Sequence, residues 1–99
     1  MYGLFVQVFK TEYIDDASFP QLVEIARSKE ELKSMKDINI ALAKRNGDSI
    51  IQTQDDEEKF SVSEVEIDSE RTAINVIYHD DYKDQDQVIW ATKIFIMEI

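Results

Sequence analysis

The chain has 99 residues, 21 acidic against 11 basic, a net charge of −10 and no cysteine. Disulfides, thiolate chemistry and sulfur-ligated zinc are thereby excluded. A chain of this size supports one core and so one domain, residues 1–99. Its 43% hydrophobic content is too high for a disordered segment.

The charge is unevenly spread. Residues 1–50 carry eight acids and seven bases, whereas residues 51–99 carry thirteen acids and four bases. Direct binding to nucleic-acid phosphate needs clustered Lys and Arg and is not expected. The start, MYGLFVQVFK, has no basic run and alternates like a strand. No signal peptide and no membrane span are expected, and the expected place is the cytoplasm.

Residues 4–9 read as a first strand, with Leu4, Val6 and Val8 on one face and Phe5, Gln7 and Phe9 on the other. Asp15-Asp16 and Phe19-Pro20 mark a turn. Residues 22–26 give a short second strand, antiparallel to the first. Ser28 followed by Glu31 has the form of a capping box, and Leu32, Met35, Ile38 and Leu42 then recur at helical spacing. Lys44-Arg45 before Asn46-Gly47 suits a helix C-terminus. A second reading makes residues 38–53 a hairpin about Asn46-Gly47, after a short helix at 29–37. The capped start and the basic end favour the longer helix.

Residues 55–59 form a solvated acidic loop. Residues 60–67 are a third strand whose apolar parity changes between Phe60/Val62 and Val65/Ile67, which a bulge near Ser63 or Glu64 would reconcile. After a turn at 68–70, residues 72–78 alternate with Ile74, Val76 and Tyr78 on one side. Residues 80–87 are a polar loop. Residues 88–99 are apolar on both faces, as in a central strand covered twice or a strand that joins a partner. The order β-β-α-β-β-β is that of a small α+β domain, one main helix on a mostly antiparallel sheet of about five strands.

In LVEIARSKEELKSM and FSVSEVEID the chain resembles small accessory proteins of bacteriophages and other mobile elements. The resemblance covers about residues 22–68. It implies an accessory protein working in the host cell cytoplasm, and it carries over no catalytic residue.

His79 stands beside Asp80 and Asp81, but no spacing supplies a nucleophile, so a solvated or capping histidine is expected and no enzyme. The acidic runs lack the turn glycine and distal glutamate of a calcium loop, and no glycine follows Gly47, so no metal and no cofactor are expected. Lys29, Lys33 and Lys36 share a helix face read as a solvated, salt-bridged surface. The aromatics Phe5, Phe9, Tyr13, Phe19, Phe60, Tyr78, Trp90 and Phe95 are assigned to the core, with Tyr82 an exposed exception.

The stretch QDDEEKFSVSEVEID, residues 54–68, holds the densest charge. Duplex DNA carries one negative charge per about 1.7 Å of axis. Acids gathered on one face could imitate it. The expected function is therefore a non-enzymatic acidic inhibitor or adaptor, phage-encoded, which occludes a basic, nucleic-acid-binding surface of a host protein. Its expected contacts are Asp55, Asp56, Glu57, Glu58, Glu64, Glu66, Asp80, Asp81, Asp84 and Asp86, with Tyr82 as an anchor. The alternative is a self-assembling structural or regulatory protein that forms a homodimer through residues 88–99.

Overall fold

The computed structural model describes residues 1–10 and 19–99. Asp15-Asp16 and Tyr13 lie outside the described residues. The strands are β1 (Tyr2–Lys10), β2 (Gln21–Ala26), β3 (Phe60–Glu66), β4 (Arg71–Asp80) and β5 (Gln85–Glu98), with one long helix, α1 (Lys33–Gln52). All pairings are antiparallel, in the order β2-β1-β5-β4-β3. This is the expected α+β domain.

β5 is the middle strand, hydrogen-bonded to β1 on one side and β4 on the other. Its apolar character follows from that position. Residues 90–95 are paired on both sides, so that stretch of the strand expected to form a dimer offers no edge for a second copy to extend.

The helix covers one face of the sheet. Beneath it lie Leu4, Ile74, Val76, Ile94 and Ile96, joined from the 3-10 turn Glu30–Leu32 by the fully buried Leu32. Each such side chain contributes about 1.5–3 kcal/mol by leaving water. The largest fully buried side chains are all aliphatic, which corrects the aromatic core. Phe5 and Phe95 instead stack at 5.5 Å on the opposite, uncovered face, Phe19 and Tyr82 are exposed, and Lys10 lies over Trp90.

α1 runs straight through Asn46-Gly47 to Gln52, so the hairpin is absent and so is the expected stop. Gly47 is buried against the sheet; a Cβ there would stand 3.0 Å from Val62 Cγ2 and 3.3 Å from Val76 Cγ2. With Ala43 also buried, small residues let the helix settle close to β3 and β4. The local turn signal loses to that packing, worth more than the roughly 1 kcal/mol a helical glycine costs. The inward stripe runs Leu32, Lys36, Ile40, Ala43, Gly47, and the expected Ile38 and Leu42 point outward.

Three further expectations change. Neither Lys29 nor Leu32 at the helix starts has a side-chain cap; Glu31 reaches back to the Arg27 N–H at 3.3 Å instead. Lys29 and Lys33 are salt-bridged to Glu70 and Glu30, but Lys36 is buried, its stem in the core and its Nζ donating to the Ser69 carbonyl at 3.3 Å. The polar residues 79–80 and 85–87 belong to strands, so the β4–β5 connection is a tight turn over residues 81–84.

β3 has no bulge. Its register with β4 is unbroken from Phe60↔Tyr78 to Glu66↔Thr72. Phe60, Val62, Glu64 and Glu66 all face the helix side, and Ser61, Ser63 and Val65 the other. The parity change marks where the apolar face switches sides: Val62 sits against Gly47, while Glu64 further along reaches up to Lys44 at 2.6 Å. The sheet's irregularities lie elsewhere, one giving β2 an extra residue at Val23 and one giving β5 an extra residue at Ile89.

Candidate functional site: an acidic sheet end and the edge beside it

Two acidic loops meet at one end of the sheet. β3 and β5 each pair antiparallel with β4 and so run parallel to each other. The segments entering them, residues 53–59 and 81–84, therefore emerge at the same end. The turn Glu57–Lys59 touches β4 directly. Two inter-strand spacings, about 10 Å, separate β3 from β5. The segments at that end carry Asp55, Asp56, Glu57 and Glu58 before β3 and Asp80, Asp81, Asp84 and Asp86 in the β4–β5 hairpin, accompanied by Lys59, Lys83 and His79.

The hairpin acids have different tasks. Asp80 Oδ1 accepts the N–H groups of Tyr82 at 3.0 Å and Lys83 at 3.3 Å, which closes the turn. Asp84 takes a left-handed backbone, φ 49°, a conformation that Asp tolerates better than most residues. Together they push Tyr82 out, fully exposed at the tip. His79 and Asp86 are cross-strand partners, Nδ1 to Oδ1 at 2.5 Å, and Nε2 lies 3.2 Å from Asp81. The hydrogen bond with Asp86, aided by the charges of Asp81 and Asp84, raises the His79 pKa above the ordinary 6.5. Both ring nitrogens are thus engaged by carboxylates, as in a paired surface histidine.

Beside the loops is a shallow cleft of about 270 Å³ lined by Gln54, Phe60, Tyr78, Gln87 and Ile89. Phe60 and Tyr78 form its floor with ring centroids 5.0 Å apart. The end thus combines a negative rim with a small aromatic seat, where the sequence pattern assigns Phe60 and Tyr78 to the core.

Glu64 and Glu66 lie apart from this cluster, along β3. Glu64 is neutralised by Lys44, whereas Glu66 lies at the strand's far end opposite Thr72. Beyond it the acids are locally paired. Asp68 accepts from the backbone N–H groups of Glu70 and Arg71 and from Arg71 Nε at 2.7 Å, and the Arg71 bond holds its pKa low. Glu70 is held low by Lys29. One end of the sheet is cross-linked by charge and the other is left predominantly negative.

Among the described residues no group of His, Cys, Asp and Glu is arranged to hold a metal ion. No helix in the described residues is long and apolar enough to cross a membrane. Compared with protein-family models, curated proteins and solved structures, the chain matches none.

Proposed function

We propose that the chain is a non-enzymatic acidic binding module, an inhibitor or adaptor of the kind phages encode, which occludes a basic nucleic-acid-binding surface of a host protein. The observation that carries the reading is the meeting of residues 55–58 and the β4–β5 hairpin at one sheet end. Eight carboxylates there act on a partner as one field wherever the Debye length exceeds their spacing. That length is about 30 Å at 0.01 M salt and about 3 Å at 1 M. Steering by such a field speeds encounter with a cationic surface, and Tyr82 at the hairpin tip offers the aromatic contact that charge alone lacks. Engagement of both His79 nitrogens supports a binding role over catalysis.

The test is capture of a partner from host lysate by the tagged protein, eluted along a salt gradient. Asp55→Asn, Asp56→Asn and Asp84→Asn together are expected to release the partner at lower salt than the native chain. A charge-matched control, Glu30→Gln with Asp37→Asn and Asp48→Asn on the helix side, is expected to elute with the native protein. Equal elution of both variants, or binding indifferent to salt, refutes the reading.

A further inference from the structure

β3 is the outermost strand on the acidic side. β4 takes its inner edge along all of Phe60–Glu66, and no described strand pairs with its outer edge. An antiparallel edge strand turns alternate N–H and C=O groups outward, ready to pair with another chain. Seven residues at about 3.3 Å each give a docking length of about 23 Å. Its backbone is not blunted: residues 60–66 contain no Pro, Gly or Lys, no bulge interrupts the register, and the charges of Glu64 and Glu66 are the one protective device present.

Charge decides what can use this edge. A second copy pairing antiparallel about Ser63 would set Glu66 of one chain opposite Phe60 of the other, next to that chain's acidic turn at residues 55–58. Carboxylates brought that near repel one another. A segment carrying Lys or Arg meets the opposite situation, with Glu66 at one end of its path and the acidic turn at the other. Side chains of that segment on the uncovered face would pass Ser61, Ser63 and Val65, of which Ser61 and Val65 are exposed.

We infer that the outer edge of β3 receives an extended, Lys/Arg-bearing segment of the partner as a sixth strand of the sheet. Main-chain hydrogen bonds supply the grip and the flanking carboxylates supply the selectivity. The inference rests on the proposed basic partner and specifies how that partner is held.

The probe is an eight-residue peptide of alternating Lys and Val, compared with the same peptide N-methylated along its whole backbone. The two have equal charge, but only the first can pair with a strand. The unmethylated peptide is expected to bind at least tenfold tighter and to slow hydrogen exchange at alternate amides of residues 60–66. Asp56→Lys with Glu66→Lys is expected to weaken it tenfold or more. Equal binding of both peptides, without protection in β3, overturns the edge while leaving the acidic surface as the partner site. Binding of neither peptide overturns both.

Discussion

Among the described residues the sheet has two unpaired edges, β2 and β3, and they are built on opposite plans. β2 is short, carries an extra residue at Val23, and has the N–H of Ile25 covered at 3.3 Å by the carboxylate of Glu24. It leans on β1 and the Glu30–Leu32 turn. β3 is longer and regular, and it is seated under α1 through Val62 and Gly47. One edge is guarded by irregular backbone; the other keeps regular backbone and is guarded by charge. A guard of the second kind discriminates, because it repels copies of itself while leaving the strand open to a basic segment.

The largest expected effect tests how firmly β3 is seated. Gly47→Leu forces bulk into the 3.0 Å approach to Val62, a stiff β-branched neighbour. A loss of about 3 kcal/mol is expected, the upper part of the usual overpacking range, read as a lower urea midpoint at unchanged slope. A midpoint equal to native would mean that the helix does not clamp this edge.

Next comes the charge guard. Glu66→Thr keeps strand propensity and removes the unneutralised carboxylate from the β3 edge. Self-association is expected to tighten at least tenfold, seen by light scattering as a rise in apparent mass that the native chain does not show at equal concentration. If the variant stays as monomeric as the native chain, charge is not what keeps that edge unpaired.

The other edge offers a smaller effect. A Cβ on Gly3 would lie 2.8 Å from Phe5 Cε2 and 2.9 Å from Leu22 Cδ1, both side-chain atoms on the uncovered face. They can swing outward, so Gly3→Ala is expected to cost about 1 kcal/mol, the low end of overpacking. A cost matching that of Gly47→Leu would show that β2 is as tightly held as β3.

The smallest effect concerns pH at the hairpin. Because the bond to Asp86 raises the folded pKa of His79, its stabilisation is present below the unfolded value of about 6.5 and is lost as pH rises through the folded value. Asp86→Asn should move the His79 titration, followed by its imidazole resonances, back toward the ordinary value. Native and variant should differ slightly in stability at pH 6 and not at pH 9. The group is solvent-exposed, so added salt should shrink the difference. An unmoved titration would mean that Asp81 and Asp84 alone hold the proton.

Much of the fold was legible because it is written in short windows. The alternation of residues 4–9 defined both faces of β1, and the spacing of Leu32, Met35, Ile38 and Leu42 revealed a helix, though only as far as Lys44-Arg45. The acids of residues 54–68 were plain, and so was their bias toward the second half. Three things were not legible. Asn46-Gly47 has the composition of a turn, and only contact with Val62 and Val76 explains a glycine there inside a helix. The parity change in β3 looks like a bulge until the helix shows which face it covers, and where. The polar residues 80 and 85–87 read as loop because a hairpin beyond the core has no apolar face to advertise its pairing.

The sequence by itself determined the order of elements, the single domain and the amount of negative charge, since these depend on composition and on residues a few positions apart. Tertiary structure decided where the charge stands. That β3 and β5 flank β4, and so bring their entering loops to one end, is set by strand pairings that link residues far apart in the chain. Those pairings are chosen by how the whole sheet buries its aliphatic face beneath one helix, and no local window contains that free energy.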